Sequence, residues 1–478
     1  MVSASIGDNS FLGGVMACTF IPPYLLRHLA VAAADTPAGA CGRATLVVDQ
    51  LLREQRSGPA VLRRPHGFRS AGPAPRRVVH SAGGAEQLPG TPVRSDGDPP
   101  SGDVAVDEAF DSFGQVWDLF AELFGRRSVD GRASTVSVTV HYGNNYDNAF
   151  WDGTQLVFGD GDGVVFDRFT KPMDVMAHEF THGVTQFSAG LAYQGQSGAL
   201  NESVSDVFAA MTKQRALGQG AEDADWLIGE GLFLPGIRAR ALRSMLEPGT
   251  AYDDPQLGRD PQVGSMADYI ETDDDNGGVH LNSGIPNRAF ALAARALGGQ
   301  TWDRAGRVWY DALTGGVVGA DTDFVGFADA TIDAAARLFP DDAGVAEQVR
   351  AAWQQVGVLG SRRATPPAPV DAVPAPVGAI PVADAKMVAV RRSGGFTGGV
   401  RTGELDLDGD PQGPEVRRLL LGTDLARLAG SSAPAPDRFV YTVAVGDWHL
   451  TVPEQDLTPE LDQVVRIVLG ASGRLELG

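Results

Sequence analysis

The order of hydrophobic and polar positions divides the chain into parts with different periods. Between about residues 78 and 176, apolar residues alternate with polar ones and turn signals intervene, which indicates a largely β lobe. From 177 to 360 the apolar residues recur at helical spacing, which indicates a helical lobe. A helix from Met173 would run between the lobes, with a cleft beside it. The other predicted helices lie at 200–211, 289–297, 304–313, 327–338 and 343–356.

The character of the chain changes after residue 360. Residues 361–384 are rich in Pro, Ala and Val, so this stretch cannot pack a core and is expected to be a semi-rigid linker. Strand-like and helical patterns return in the last part, 385–478. Its predicted elements are strands at 386–391 and 439–445 and helices at 414–421 and 458–469. The fold class is therefore α+β, with a small α+β module at the C-terminus.

Composition narrows the classes of function. The 478 residues are enough for two or more domains, and a hydrophobic content of 43% is ample for packed cores. The net charge of −21 argues against nucleic-acid binding, and no apolar run is long enough to span a membrane. Only two cysteines occur, Cys18 and Cys41, so a disulfide framework is absent. Either thiol could cap a metal ion, but small buried thiols are the expectation.

Residues 178–182 read HEFTH and carry the most specific chemistry in the chain. His178 and His182 are four residues apart, so on a helix both imidazoles point to the same side and can share one metal ion. Glu179 projects beside that ion, where it could take a proton from a water molecule. The alternative is a helix surface with two solvated histidines, and a third ligand decides between the two interpretations.

Residues 201–206, NESVSD, supply that third ligand. Four glycines between 183 and 198 let the chain turn back, so a second helix could pack antiparallel to the first and bring Glu202 to the metal. Asp206 lies one turn beyond Glu202, where it could accept the other ring N–H of a ligating histidine. Asn201 is expected to support the ligands in the same way. The predicted metal site is one zinc ion held by His178, His182 and Glu202.

HEFTH followed by NESVSD resembles the zinc site of the thermolysin-like metallopeptidases, the M4 family. Further family-like segments follow in order and with similar spacing from about residue 78 to 358. They are NAFW at 148–151, FGDGDG at 158–163, GLAYQ at 190–194, LRSM at 242–245 and DNGGVHLNSG at 275–284. The resemblance implies a two-lobed catalytic domain, with a β-rich lobe at 78–176, a helical lobe at 177–360 and the active-site helix between them.

The resemblance also implies a catalytic role for each matching residue. Glu179 would be the general base towards water and then the proton donor to the leaving amine. Tyr193 and His280 would donate hydrogen bonds to the oxyanion, and Asp275 would fix the tautomer and charge of His280. The expected enzyme is a zinc-dependent neutral endopeptidase.

Substrate recognition follows from the same matches. Arg243 would bind a substrate carbonyl, while Asn148 and the Ala149 backbone would align the substrate as an added strand. Residues matching the family's main specificity pocket are all apolar, which implies cleavage on the N-terminal side of large hydrophobic residues. The alternative for any one of them is ordinary packing in the hydrophobic core. They are Phe166, Phe169, Val175, Ile228, Leu232 and Leu242.

The chain departs from the family at its calcium positions. Asp174, Asp225 and Glu230 match a carboxylate cluster that holds paired calcium ions in the family, but Lys213 and Leu227 stand where acids are expected. A lysine ammonium cannot ligate calcium, which takes oxygen ligands, and could neutralise the remaining acids instead. One calcium ion at most, or none, is expected at this reduced site.

Both ends of the chain resemble regulatory elements. Residues 21–27, IPPYLLR, resemble the motif in the short propeptides of protealysin-like members, so 1–77 is expected to be a propeptide with a cleavable junction at 55–77. Residues 393–396, SGGF, and the pattern of 385–478 resemble emfourins, which are protein inhibitors of such peptidases. The expected partners are peptide or protein substrates, with the chain's own propeptide and C-terminal module as inhibitors. The C-terminal module could instead bind or target.

Two further expectations concern the state and the location of the protein. The resemblance implies a secreted monomer, but the N-terminus lacks a convincing signal peptide, so leaderless export and cytoplasmic retention both stay open. Met16 could be the biological start instead of Met1. A catalytically silent binding or regulatory protein with the same fold is the alternative function, and the intact set of Glu179, Tyr193 and His280 argues against it.

Overall fold

The computed structural model describes residues 18–56, 77–360, 385–394, 401–423, 439–445, 448–453 and 457–471. The chain forms two compact units, Met1–Ala364 and Thr365–Gly478. The predicted linker at 361–384, the start at Met16, most of the junction at 55–77 and half of the SGGF motif lie outside the described residues.

A six-stranded mixed sheet forms one lobe of the first unit, with strand order β1-β5-β6-β4-β2-β3. The strands are β1 (Cys18–Thr19), β2 (Arg77–Ser81), β3 (Thr91–Ser95), β4 (Val136–Val140), β5 (Ala149–Trp151) and β6 (Gln155–Phe158). β2, β4 and β6 run parallel, and the other neighbours pair antiparallel. The N-terminal strand β1 therefore covers β5, which would otherwise be the edge of the sheet.

A long helix, α3 (Val104–Phe124), lies within the lobe for which the sequence pattern indicates mostly strands. Its N-cap Asp103 accepts hydrogen bonds from the backbone N–H groups of residues 105 and 106, and Gly125 ends it in the left-handed conformation. Phe113 and Phe120 of α3 pack on Phe180, with ring centroids 5.6 and 5.3 Å apart. One face of the sheet needs such a cover to bury its apolar side chains.

The helical lobe contains the predicted helices with small differences at their ends. It has two short antiparallel strand pairs, β7 (Leu227–Ile228) with β8 (Arg243–Ser244) and β9 (Asp253–Asp254) with β10 (Gly258–Arg259). Its helices are α4 (Met173–Gln186), α5 (Gly195–Leu217), α6 (Asp275–Asn282), α7 (Gly284–Leu297), α8 (Ala305–Thr314), α9 (Phe324–Leu338) and α10 (Ala343–Gln355), with a 3₁₀ turn at Met266–Asp268. Helix α5 is buried on nearly all sides from residue 197 to 214, so it is the central helix of this lobe.

The N-terminal segment continues from β1 into two helices that belong to the same unit. Helix α1 (Pro23–Ala32) has a proline at its first position, which is preorganised for a helix start. It packs against α2 (Pro37–Arg56), and its buried leucines belong to the main hydrophobic core. Leu25, Leu26 and Leu29 are at most 1% exposed, so this segment is an integral layer of the first unit.

The described residues of the second unit form a four-stranded antiparallel sheet with two helices. Its strands run in the order β12-β11-β13-β14, and the two outer strands of the sheet, β12 and β14, were not predicted from the sequence. The elements are β11 (Met387–Gly394), β12 (Arg401–Asp406), α11 (Gly413–Leu421), β13 (Phe439–Val445), β14 (Trp448–Pro453) and α12 (Pro459–Ala471). Val388, Val443 and Val464 are fully buried in a core of its own. This architecture agrees with the α+β class expected for the module.

Candidate active site

Three side chains with metal-ligand chemistry converge between α4 and α5. The Nε2 atoms of His178 and His182 lie 3.0 Å apart. Nε2 of His178 is 3.4 Å from Oε2 of Glu202, and Nε2 of His182 is 3.5 Å from its Oε1. Ligand atoms about 2.0 to 2.2 Å from a tetrahedral zinc ion are about 3.3 Å from one another, so this spacing fits zinc.

Hydrogen bonds on the far side of each ring fix which nitrogen faces the site. Nδ1 of His178 is 2.9 Å from Oδ1 of Asp206, and Nδ1 of His182 is 2.8 Å from Oδ1 of Asn201. The amide of Asn201 is itself oriented because its Nδ2 donates to the Leu191 carbonyl. Since these oxygens only accept, both Nδ1 atoms carry hydrogen, and the two Nε2 atoms face each other, so that their lone pairs would point at a bound cation. Two lone pairs beside a carboxylate form a cation site.

Asp206 is the centre of a buried charge network. It accepts two hydrogen bonds from the Arg243 guanidinium, each 2.8 Å long, and one from Nδ2 of Asn287. Burial opposes ionisation of Asp206, but Arg243 and the hydrogen bond from His178 outweigh it and lower the pKa of Asp206 to about 2. Asp206 therefore stays charged and ties the orientation of His178 to that of Arg243.

Glu179 lies on the same helix as both histidines and is fully buried. Its two carboxylate oxygens form no hydrogen bond of good geometry with the described residues. Burial raises the pKa of Glu179 to about 8, against the opposing charge of His178. A nearby divalent cation acts in the same direction as His178 and favours the carboxylate. Such a buried group, poised near neutral pH, suits a general base.

Tyr193 and His280 also lie beside Glu202. The Tyr193 hydroxyl donates to Oε1 of Glu202 and is 3.3 Å from Nε2 of His280. Burial raises the pKa of Tyr193 well above its ordinary value, so the phenol keeps its proton. Gly198 lets this segment approach α5, because a Cβ there would lie 2.4 Å from Val279 and 2.9 Å from the Tyr193 backbone. Two proton donors thus border one face of the cation site.

A tight turn holds Asp275 against His280. Residues 275–278 all have φ between 51° and 79°, a left-handed conformation that Asp, Asn and Gly tolerate best. The turn places Oδ1 of Asp275 2.7 Å from Nδ1 of His280, and Oδ2 accepts from the His280 backbone N–H. Burial lowers the pKa of His280, but the charges of Asp275 and Glu202 outweigh burial and raise it. His280 is therefore held as a donor through Nε2.

The residues expected to bind substrate instead bind the chain's own N-terminal strand. The Phe20 N–H donates to the Ala149 carbonyl, and the Ile21 N–H donates to Oδ1 of Asn148 at 2.7 Å. The Asn148 amide donates back to the Ile21 carbonyl, and Nη1 of Arg243 donates to the Phe20 carbonyl at 3.2 Å. Strand β1 thus occupies the place of an added substrate strand on β5.

The carbonyl of Thr19 completes this pattern. It accepts a hydrogen bond from Nε2 of His280 at 3.0 Å, which is where a substrate oxyanion would be stabilised. The next side chain, Phe20, is fully buried. Its ring lies edge-on to His178 at 5.1 Å, and the Arg243 guanidinium carbon is 4.8 Å from the ring centroid. The Thr19–Phe20 peptide bond therefore lies in the position expected for a bond to be cut.

The apolar residues assigned to the specificity pocket are all completely or almost completely buried. Phe20 lies at this cluster: a Cβ on Gly229 would lie 3.1 Å from Leu242 and 3.4 Å from the Phe20 ring. Phe20 therefore packs at Gly229, beside Leu242, which is one of the assigned residues. The assigned residues are Phe166, Phe169, Val175, Ile228, Leu232 and Leu242.

The expected calcium cluster is bonded to a lysine. Nζ of Lys213 lies 2.8 Å from a carboxylate oxygen of Asp225 and 2.8 Å from one of Glu230. Asp174 is buried and accepts a hydrogen bond from the Gly229 backbone. Burial raises the pKa of Asp174 to about 6, although the Lys213 charge acts in the opposite direction. An ammonium therefore occupies the position between acids that calcium ions would need.

Several residues at the site were not predicted from the motifs. Asp49 on α2 accepts hydrogen bonds from the Tyr146 hydroxyl and from Nδ2 of Asn148, and so fastens the N-terminal segment to the sheet. The thiols were expected to be small and buried; Cys41 is only partly buried, and Cys18 lies among the candidate metal ligands. The signal for Cys18 and Phe20 was their alternate placement directly before the IPPY motif.

A cation site closed by two packed helices, beside an edge strand that receives an extended segment, defines the class as a metallopeptidase. The family model for the thermolysin metallopeptidase catalytic domain matches residues 85–186, and that for its α-helical domain matches 189–358. The emfourin family model matches 390–469. The chain belongs to the thermolysin family of zinc metalloendopeptidases, as the motifs predicted.

Individual relatives support the same assignment. The extracellular metalloprotease of Pectobacterium carotovorum subsp. carotovorum is 51% identical over 341 residues, which cover 71% of this chain and 96% of the relative. Thermolysin of Alicyclobacillus acidocaldarius subsp. acidocaldarius is 38% identical over 281 residues, 57% of this chain and 49% of the relative. The solved precursor of protealysin, a metalloproteinase from Serratia proteamaculans, matches with a TM-score of 0.65 and 49% identity, over 72% of this chain and 100% of that one. The two-lobed fold and the emfourin module are thereby confirmed.

Proposed function

We propose that this chain is an endopeptidase made as an inactive precursor, which cuts peptides on the N-terminal side of large hydrophobic residues. The observation that carries the proposal is the placement of residues 19–21. The carbonyl of Thr19 accepts from His280, the carbonyl of Phe20 accepts from Arg243, and the backbone of Ile21 bonds to Asn148. The chain's own backbone thus uses each contact that a bound substrate would need.

The catalytic roles follow from the positions of the side chains. His178, His182 and Glu202 would hold zinc, which polarises the substrate carbonyl and lowers the pKa of water when it is bound. Glu179 would take a proton from the attacking water and give it to the amine nitrogen as the C–N bond breaks. Tyr193 and His280 would donate hydrogen bonds to the oxyanion on the substrate carbon.

The support for hydrophobic specificity is the side chain of Phe20. It follows the peptide bond that lies at the catalytic groups, and it is fully buried beside Leu242 and Gly229. An apolar pocket favours Phe, Leu or Ile, and one methylene changes affinity by about 1 to 3 kcal/mol. We expect substrates with Gly or Asp at this position to be cut much more slowly.

The N-terminal segment would act as the inhibitor of the precursor. With residues 18–21 on β5, the space left beside Tyr193 and His280 is about 140 Å³, whereas ligand sites usually measure at least about 300 Å³. A substrate therefore competes with the segment for the same place. We propose that the segment is displaced after cleavage at the junction 55–77.

The proposal also covers the place where the enzyme acts. The relative from Pectobacterium carotovorum subsp. carotovorum is described as extracellular, and no helix of the described residues is long and apolar enough to cross a membrane. We propose that this enzyme also acts outside the cell.

Lys213, bonded to Asp225 and Glu230, would take over the neutralising role of calcium, so full folding should need zinc alone.

The test of the mechanism is the variant Glu179→Gln, with the exposed Glu222→Gln as the matched control. After removal of the N-terminal segment, Glu179→Gln should bind one zinc ion per chain and fail to cut a fluorogenic peptide. Glu222→Gln should resemble the wild type in zinc content and rate. Cleavage by Glu179→Gln at the wild-type rate would contradict the assigned base.

The C-terminal module is proposed to inhibit the enzyme in cis, since its residues 390–469 match the emfourin model. Tethering raises the effective concentration of such a module to the millimolar range. A chain that ends at Gly360 should therefore be more active than the full chain once both have lost the N-terminal segment. Equal rates from the two proteins, at equal zinc content, would contradict inhibition by the module. The module would then be a binding or targeting module.

A further inference from the structure

The side chain of Cys18 lies among the groups proposed to hold zinc. Its sulfur and ligand atoms of His182 and Glu202 all lie within 4.8 Å of one another, and all three residues are buried. Cys18 also packs against Tyr193 and Val279. The thiol therefore shares its surroundings with the catalytic groups.

Strand geometry explains why the cysteine reaches this place. β1 pairs antiparallel with β5, with Cys18 opposite Trp151 and Thr19 opposite Phe150. Side chains two residues apart on a strand point to the same face, so Cys18 and Phe20 both face the helices. Phe20 contacts His178, while Cys18 lies near His182. The side chains of Cys18 and Phe20 thus border the cation site from neighbouring positions.

The donor set has room for one more ligand. Oε2 of Glu202 is buried and forms no hydrogen bond of good geometry within the described residues. A zinc–sulfur bond of about 2.3 Å places a sulfur about 3.6 Å from the other ligand atoms of a tetrahedron. The sulfur of Cys18 and the ligand atoms of His182 and Glu202 lie within 4.8 Å of one another, at most about 1 Å more than this, which is within the reach of a rotation about the Cα–Cβ bond.

We propose that Cys18 is the fourth zinc ligand in the precursor and that it takes the place of the attacking water. This inference rests on the proposed function, because it assumes zinc on His178, His182 and Glu202. It explains how a segment that lies like a substrate escapes cleavage: the Thr19–Phe20 bond is presented to the catalytic groups, but the nucleophile is excluded.

The exchange of ligands is balanced without any redox step. On binding, the S–H bond of Cys18 breaks, its proton passes to solvent and the sulfur lone pair forms the bond to zinc. When β1 leaves, a water molecule replaces the sulfur, and the thiolate takes up a proton from solvent. The precursor should therefore release one more proton on zinc binding than a variant without the thiol.

Cys41 provides a matched control. It lies on α2 and is only partly buried, and burial together with the charges of Asp147 and Asp162 raises its pKa. It is not a member of the group of atoms around His182 and Glu202. A substitution of Cys41 thus removes a thiol from the same segment without touching the proposed ligand.

The first test is spectroscopic and uses the full-length chain with the substitution Glu179→Gln, which prevents self-cleavage. Zinc is replaced by Co²⁺, and the near-ultraviolet absorption of a thiolate–cobalt bond is recorded. The band should be present in this protein and with Cys41→Ser, and it should be lost with Cys18→Ser. A band that survives Cys18→Ser, or one that is missing although one Co²⁺ is bound, would overturn the inference alone. Failure to bind Co²⁺ at all would overturn the proposed function with it.

The second test measures the bond that the thiol protects. With Glu179 intact, freshly purified full-length Cys18→Ser protein should lose residues 1–19 by cleavage before Phe20, as seen by intact mass. Cys41→Ser and wild-type chains should keep that bond. If Cys18→Ser keeps it equally well while its Co²⁺ spectrum has lost the thiolate band, the sulfur ligates but does not protect, and that part of the inference is wrong.

Discussion

Phe20 should contribute most of the strength with which the N-terminal segment closes the active site. The side chain is fully buried against His178, Arg243 and Gly229, so Phe20→Ala removes almost its whole apolar contact. Large-to-small changes of a buried Phe cost about 3 to 5 kcal/mol. Taking about 3 kcal/mol, the ratio of open to closed precursor should rise about 150-fold, because each 1.4 kcal/mol is a factor of ten.

The assay is the initial rate of hydrolysis of a short fluorogenic peptide by full-length chain, before any processing is visible by electrophoresis. The rate of Phe20→Ala precursor should rise by about two orders of magnitude or until it equals that of the processed enzyme. The control is Val31→Ala on α1, whose side chain is 78% exposed. The proposed mode of closure is wrong if the Phe20→Ala precursor is no more active than the Val31→Ala precursor while its N-terminal segment is still uncut.

Two further predictions concern charged groups outside the catalytic set. Lys213→Met should lower the free energy of unfolding by about 2 kcal/mol, because it leaves the acids Asp225 and Glu230 without their cation; added calcium should raise the melting temperature of this variant and not that of the wild type. His141 contacts Asp160 and Asp103, and the hydrogen bond that its ring donates to Asp160, together with the charge of Asp160, raises the pKa of His141 to about 9. A raised pKa stabilises the fold below the unfolded value near 6.5, so His141→Asn should cost about 1 to 3 kcal/mol at pH 6 and little above pH 9 in denaturant titrations; a cost independent of pH would contradict this.

Sequence patterns could predict the metal-binding core of this protein because its geometry is local. His178 and His182 share a helix face by their spacing alone, and Glu202 needs only one reversal of the chain to join them. The structure brings all three within 3.5 Å of a neighbour. The positions of Asp206 and Asn201 could be predicted for the same reason, since both residues lie on α5 with Glu202.

The remaining features depend on tertiary packing that no local period encodes. Helix α3 has apolar residues at helical spacing, but the strand signals on both sides of it concealed the pattern. Asp49 and Cys18 are far from their partners in sequence: the bond from Asn148 to Asp49 spans 99 residues. The contacts of Asp49 exist only once α2 docks on the sheet, so composition and spacing could not reveal them, and for Cys18 the sequence indicated only that a thiol could cap a metal ion.

An inhibitor that copies a substrate must be bound tightly and yet escape cleavage, and the N-terminal segment separates these two demands. Binding strength is distributed over the Phe20 side chain, the backbone bonds to Asn148 and the helical anchor at Asp49. Protection is assigned to one atom, the sulfur of Cys18, two residues away on the same strand face. Because the segment is covalently attached, closure in the precursor is intramolecular. One cut in the junction at 55–77 abolishes that advantage without altering any contact, so release would follow by dilution. In the proposed mechanism, a single proteolytic event would therefore activate the enzyme without changing any inhibitory contact.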